Sequence, residues 1–202
     1  CPHNLDLFQW ICGMPSKVRA FCGFGKYHDI EVEDEVTAYL EYPNGATGVF
    51  VTTTGEAPGT NRLEVVGDRG KIVYENGQVT FTRTESLVSE INRTSQESFV
   101  SVPTWKCEIP ANGYGGQHKA ILQNFVDCIL HGKELIAPAV EGIHSVELAN
   151  AMIYSGLTGE TAEIPLDAAA YEAKLKTLIA NSTHKKKSTE VAAVDMGASF
   201  GR

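Results

Sequence analysis

The fold class is decided by the stretch Val36-Thr37-Ala38-Tyr39-Leu40-Glu41-Tyr42, which is followed at once by Pro43-Asn44-Gly45. Every second residue of the stretch is apolar, and this period of two predicts a β-strand with one face turned towards a core. The proline, asparagine and glycine that follow predict a tight turn. The chain is therefore expected to reverse its direction here and to continue as another strand.

The same alternation extends from Val18 to about Val102. Further turn signals lie at residues 67–70 and 75–77. Turns at such short spacing leave no room for helical crossovers, so the strands are predicted to form an antiparallel meander. Polar residues within the strands indicate that one sheet face is not simply buried in an apolar core, and that this face meets solvent, a partner subunit or a substrate; they include Thr37, Glu41, Thr52 and Thr54.

Helical spacing of apolar residues marks both ends of the chain. Leu7, Trp10 and Ile11 predict an opening helix that stops before Pro15. After the strands, one apolar stripe predicts a helix that His131-Gly132 closes, a second helix is predicted from near Val140 to Gly156, and Asp167 is expected to cap a last helix that ends near Ile179.

The order of helix, strands and helices predicts an α+β fold: an open, mostly antiparallel β-sheet with helices packed on one face. Residues 1–180 are expected to form one domain, and residues 181–202, which include Lys185-Lys186-Lys187, a flexible C-terminal tail. Because the chain begins at the start of a helix and without methionine, we interpret it as a fragment.

Composition excludes several classes of protein. The 202 residues carry a net charge of −8 with a pI near 5.2, which argues against nucleic-acid binding. No apolar run reaches the length of a membrane span. The five cysteines are odd in number and widely spaced, which argues against a zinc site or a disulfide framework and favours free thiols in the cytoplasm.

Motifs for nucleotide or hydrolytic chemistry are absent from the sequence. No GxGxxG, Walker, GxSxG or HExxH pattern is present, and the glycines at 113, 115 and 116 lack the context that a dinucleotide loop requires. The residues alone are compatible with any α+β domain.

Three segments together point to a known family. The opening segment, Cys1-Pro2-His3-Asn4-Leu5-Asp6-Leu7, resembles the first helix of the C-terminal domain of the glucose–fructose oxidoreductase/inositol dehydrogenase/rhizopine catabolism (Gfo/Idh/MocA) family. The stretch Arg62-Leu63-Glu64-Val65-Val66-Gly67 resembles its strand–turn–strand signature, and residues 118–125 and 141–155 resemble its closing helix pair. The resemblance covers residues 1–167.

This resemblance implies the C-terminal half of a two-domain NAD(P)-dependent oxidoreductase that acts on a sugar or polyol. NAD or NADP would bind an N-terminal Rossmann domain absent from this chain, so no cofactor-binding residue is predicted and the fragment alone should be inactive. The sheet face would form a homodimer or homotetramer. Of the family's catalytic lysine, acidic residue and histidine, only the histidine falls within the chain, at His3.

Histidine suits the removal of a hydroxyl proton, since its imidazole titrates near neutral pH. Asp6 either orients the His3 ring or is an ordinary carboxylate of the first helical turn. The alternative for His3 itself is a polar residue near a helix start.

Four further residues, Asn4, Arg62, Tyr114 and His118, are candidates for substrate binding. His118 follows a glycine loop at a helix N-terminus, where solvation or capping is the alternative. Arg62 can reach a substrate or form a cross-strand ion pair. Tyr114 can stack on a sugar or pack within its loop. The alternative function is a non-catalytic sugar-binding or oligomerisation module of the same fold.

Overall fold

A computed structural model describes residues 2–110 and 115–184 of the chain. The five α-helices of these residues are α1 (Pro2–Cys12), α2 (Val88–Thr94), α3 (Gln117–His131), α4 (Gly142–Thr158) and α5 (Ala168–Asn181), with a 3-10 turn at Ala139–Glu141. The strands are β1 (Lys17–Phe24), β2 (Glu33–Glu41), β3 (Thr47–Thr53), β4 (Arg62–Gly67), β5 (Gly70–Glu75), β6 (Gln78–Thr84), β7 (Thr104–Ile109) and β8 (Ala162–Glu163). This confirms the α+β class.

The strands form two open antiparallel sheets, each of four strands. The first sheet has the order β3-β2-β1-β8 and the second has the order β4-β5-β6-β7. By backbone proximity the chain divides into two compact units, Cys1–Met14 with Glu56–Leu148 and Pro15–Gly55 with Ala149–Arg202. The proposed limits at residues 180 and 181 stay a prediction, and most of the predicted tail, residues 185–202, lies outside the described residues.

The core of the second unit lies on one face of the first sheet. Alternation places the predicted positions inward, and they are buried together with residues of α4; the set comprises Val18, Ala20, Val36, Ala38, Leu40, Ala151 and Met152. On the opposite face, Phe21, Tyr39, Val49 and Val51 remain exposed. That face carries Thr37 and Glu41 as expected, but Thr52 pairs with buried Val36 and lies on the core face, and Thr54 follows the end of β3.

The loop between β1 and β2 is organised by Asp34, a buried residue of β2. Its carboxylate accepts the backbone N–H groups of Lys26 at 3.0 Å, Tyr27 at 2.7 Å and His28 at 3.1 Å. Burial disfavours the charged carboxylate, but these donors outweigh it and hold the pKa of Asp34 below its ordinary value. One ionised side chain thus satisfies three backbone N–H groups of the loop.

A second carboxylate of the same loop, Glu31, accepts hydrogen bonds from the segment that follows α5. The donors are the Ser182 hydroxyl and both the N–H and the hydroxyl of Thr183, the latter two at 2.8 Å. Donation by Ser182, followed by Thr183, lowers the pKa of Glu31 to about 2. The loop is therefore held at both ends by ionised carboxylates.

The second sheet contains the two predicted hairpins. Gly67 pairs with Gly70 across a two-residue turn, and Asn76 and Gly77 adopt φ values of 52° and 73°, as such turns require. Helix α2 interrupts the predicted strand run. Asp68, in the first of these turns, accepts from the Ser89 N–H and hydroxyl at 2.6 Å and so starts α2 from 21 residues away. Because Asp68 is so distant in sequence from α2, the residues next to the helix give no signal for this cap.

Candidate functional site

His3 lies in the first turn of α1 and is exposed. The helix begins at Pro2, whose fixed φ angle and missing N–H suit the first helical position. Leu5 and Phe8, two and five residues after His3, are buried and hold the helix to its unit. The local sequence therefore presents the imidazole to solvent at the end of a packed helix.

Asn4, the neighbour of His3, contacts a residue that the sequence analysis missed. Its Nδ2 donates to Oδ1 of Asn61 at 2.7 Å. Asn61 directly precedes β4, so this bond links the first turn of α1 to the second sheet within one unit. The residues lie 57 positions apart, and no periodicity or motif pairs them; the position of Asn61 just before the Arg62–Gly67 signature is the one available signal.

Asp6 does not contact the His3 ring. Its Oδ1 accepts a hydrogen bond from Nε2 of Gln9 at 3.0 Å. Among the described residues, the structure therefore favours an intrahelical role for this carboxylate over orientation of the imidazole.

Arg62 lies in a ladder of charges on one face of the second sheet. Its guanidinium contacts Glu75, its cross-strand partner, at 2.8 Å and also pairs with Glu64, which Lys71 approaches at 3.4 Å. Glu64 raises the pKa of Arg62, and Arg62 in turn lowers the pKa of Glu64. The geometry matches the predicted cross-strand ion pair, and substrate binding by Arg62 stays a prediction.

His118 lies in the first turn of α3 and is exposed. Gly116 precedes the helix without a side-chain cap, as expected for a glycine loop. Tyr114, the remaining candidate, lies outside the described residues. The structure thus brings Asn4 and Asn61 together, and it places Arg62 among carboxylates.

The described residues do not form a dinucleotide site. A strand, β7, precedes α3, but β7 pairs antiparallel with β6, and α3 leads to a 3-10 turn and α4 rather than to a parallel strand. The strand–helix–strand unit that binds a pyrophosphate is therefore not present there. The same residues contain no cluster of three or more side chains that could hold a metal ion. Of the helices they form, none combines the length and the apolar character needed to cross a bilayer.

Several solved structures share this fold. A dehydrogenase from Bordetella pertussis, crystallised with NADH and UDP-GlcNAcA, is 22% identical with a TM-score of 0.52, over 82% of this chain and 44% of its own. An aldose-aldose oxidoreductase from Caulobacter crescentus, complexed with glycerol, is 20% identical with a TM-score of 0.53, over 81% and 45%. Levoglucosan dehydrogenase, complexed with NADH and levoglucosan, is 18% identical with a TM-score of 0.59, over 81% and 48%.

At these identities the likeness shows the fold, and the chain spans less than half the length of each of these three structures. No curated protein sequence matches the chain. The sequence profile described as "Oxidoreductase family, C-terminal alpha/beta domain" matches residues 1–164, most of the chain. The chain therefore belongs to the Gfo/Idh/MocA oxidoreductase family, of which it contains the C-terminal α/β domain.

Proposed function

We propose that this chain is the substrate-binding half of an NAD(P)-dependent oxidoreductase that acts on a hydroxyl group of a sugar or polyol. The observation that carries the proposal is the family match, which begins at residue 1 and includes the exposed His3 at the start of α1. NAD or NADP binds the N-terminal Rossmann domain that the family resemblance implies, outside this chain. The chain alone is then inactive.

His3 acts as the acid and base in this proposal. Oxidation of an alcohol to a carbonyl requires removal of the hydroxyl proton, and reduction requires its return to the oxygen. A neutral imidazole accepts that proton at a ring nitrogen, and the imidazolium gives it back. The exposed position of His3 leaves the ring open to a substrate.

The substrate is proposed to be a hydroxyl-rich small molecule. The related structures hold UDP-GlcNAcA, glycerol or levoglucosan. Asn4, Arg62, Tyr114 and His118 are the proposed binding residues, because amide, guanidinium, phenol and imidazole groups all hydrogen-bond to hydroxyls. Among these, Asn4 lies next to His3 in the first turn of α1.

The test replaces His3 by asparagine in the full-length protein, with His131→Asn as the matched control. His131 is an exposed histidine at the end of α3. Oxidation of glycerol, D-glucose and levoglucosan is followed with NAD and with NADP across pH 5–9. We expect His3→Asn to lower kcat for oxidation by about 10²-fold or more and to remove the fall in rate at acid pH, where a protonated imidazole cannot accept the hydroxyl proton. An unchanged kcat would contradict the role of His3, whereas absence of oxidation by the wild-type protein would favour the non-catalytic module.

We also propose that the outer face of the first sheet joins two copies of the chain. Phe21, Val49 and Val51 are each more than 60% exposed there, and Tyr39 lies between them. Exposed apolar side chains grouped on one sheet face favour contact with a partner. Val51→Lys should convert the dimer or tetramer to monomer in light scattering, whereas Gln78→Lys, on the second sheet, should not. A wild-type protein that is monomeric throughout contradicts this assembly.

The compartment is proposed to be the cytoplasm. The described cysteines, Cys12, Cys22, Cys107 and Cys128, are free thiols, which a reducing compartment preserves.

A further inference from the structure

The hydrogen bond between Asn4 and Asn61 is the contact from which a further role follows. It joins the first turn of α1 to the residue before β4 at 2.7 Å. Pro2 and His3 make no side-chain hydrogen bond to another element among the described residues, and no acidic residue lies in this turn. Leu5 and Phe8, the buried hydrophobic side chains of α1, follow Asn4 in the chain. Asn61 thus adds a hydrogen bond ahead of these side chains, at the end of the helix that carries His3.

The direction of His3 depends on this contact. Successive side chains leave a helix about 100° apart, so fixing Asn4 fixes the direction in which the imidazole points. Without the Asn61 oxygen, the residues that precede buried Leu5 keep only the backbone bonds of a helix end, which fray. An imidazole whose direction varies is less often in hydrogen-bond contact with the substrate hydroxyl, and proton transfer requires that contact.

We infer that Asn61 is a positioning residue: it accepts the Asn4 amide and thereby holds His3 towards the substrate hydroxyl. This inference rests on the proposed function of His3. The bond uses one of the two side-chain N–H groups of Asn4. The other N–H and the oxygen of this amide can therefore still donate to and accept from a substrate hydroxyl group.

Two substitutions of Asn61 separate this role from simple packing. Asn61→Asp keeps an oxygen that accepts from Asn4, whereas Asn61→Leu has a similar size and no acceptor. In the full-length protein, assayed with glycerol, D-glucose and levoglucosan, we expect Asn61→Leu to lower kcat by about three- to tenfold, the worth of one hydrogen bond. Asn61→Asp should stay within about twofold of wild type.

The double variant Asn4→Ala/Asn61→Leu should be no slower than Asn4→Ala alone, since Asn61 acts only through its bond with Asn4. Losses that multiply, or an Asn61→Asp variant as slow as Asn61→Leu, would overturn the inference. The unfolding temperature of each variant is measured in parallel, because a loss of packing alone would lower it without a loss of kcat.

Amide hydrogen exchange over residues 6–9 gives a readout that needs no turnover. Their N–H groups bond to the first-turn carbonyls, so exchange should accelerate in Asn61→Leu and not in Asn61→Asp. Equal exchange in both variants contradicts the positioning role. Absence of oxidation by the wild-type protein contradicts the proposed function instead, and the exchange result still decides whether Asn61 holds the helix.

Discussion

The hydroxyl oxygen of Ser155, on α4, accepts the backbone N–H of Ala20, on β1, at 2.9 Å. The same hydroxyl donates to the carbonyl of Glu160 at 2.6 Å, and its residue is fully buried. Strand β8 pairs with β1 only at Lys17 and Val18. Ser155 thus satisfies a strand N–H just beyond the point where β8 ends.

Replacement of Ser155 by alanine should leave the Ala20 N–H and the Glu160 carbonyl without their partner. We expect a loss of about 1–3 kcal/mol in the free energy of unfolding, measured by urea denaturation. Ser145→Ala is the control, since the Ser145 hydroxyl bonds only within the first turn of α4, to Gly142. Equal effects of the two substitutions would show that the sheet does not depend on Ser155.

Gly156 should not tolerate alanine, although alanine favours helices. A Cβ atom there would lie 2.5 Å from Sγ and 2.9 Å from Cβ of Cys22, a side chain whose pKa is raised to about 11 by burial and by Glu33. We expect a net loss of about 1–2 kcal/mol in the free energy of unfolding. Gly142→Ala, where a Cβ meets nothing within 4 Å, should be neutral or stabilising.

The Cys22→Ala change should recover part of the loss in the Gly156→Ala protein, because it removes the nearest clashing atom. If the double variant is no more stable than Gly156→Ala alone, the contact between β1 and α4 is not the cause.

Stability should fall in acid through the two carboxylates of the β1–β2 loop. The folded-state pKa values of Asp34 and Glu31 are lowered, that of Glu31 to about 2. The folded protein therefore binds fewer protons than the unfolded chain, so this stabilisation is complete above the unfolded value of about 4 and is lost as the pH falls towards the folded value.

Asp34→Asn and Glu31→Gln should each lower the urea midpoint at pH 7 and reduce its change between pH 7 and pH 3. Glu172→Gln, in an exposed pair with Lys176 on α5, is the control and should follow wild type. Unaltered pH dependence in both loop variants contradicts this assignment.

Arg62→Gln should raise KM for a hydroxyl-bearing substrate without a change in kcat if the guanidinium binds substrate as proposed. A binding contact away from the reacting atoms stabilises ground and transition states alike. Steady-state kinetics of the full-length protein decide this, with Lys71→Gln as a control from the same ladder. An unchanged KM would show that Arg62 only forms ion pairs with Glu64 and Glu75 and does not bind substrate.

Sequence periodicity predicted the parts of the fold that depend on neighbouring residues. Alternation at Val36–Leu40 located a buried strand face, and Asp167 caps α5 through the N–H groups of Ala169 and Ala170, as expected. The strands could not be divided between two sheets in this way, since pairing of β1 with β8 joins residues about 145 apart.

The candidate site was predictable only in part, for the same reason. The family resemblance indicated His3 and Asn4, but the Asn61 contact and the Glu75 partner of Arg62 arise from tertiary structure. The apolar stripe of α3 correctly predicted a helix, yet Leu122, Phe125 and Ile129 are exposed in this chain. Periodicity identifies an apolar face and does not identify what covers it.

The short strand β8 and the Ser155 hydroxyl also bear on aggregation. An unpaired strand edge is a template on which further chains can add and grow into fibrils. On the β1 side of the first sheet, the edge groups at Lys17, Val18 and Ala20 are already used by β8 and Ser155. Growth by strand addition is therefore opposed at these residues, and β3 is the edge strand at the other side of the first sheet.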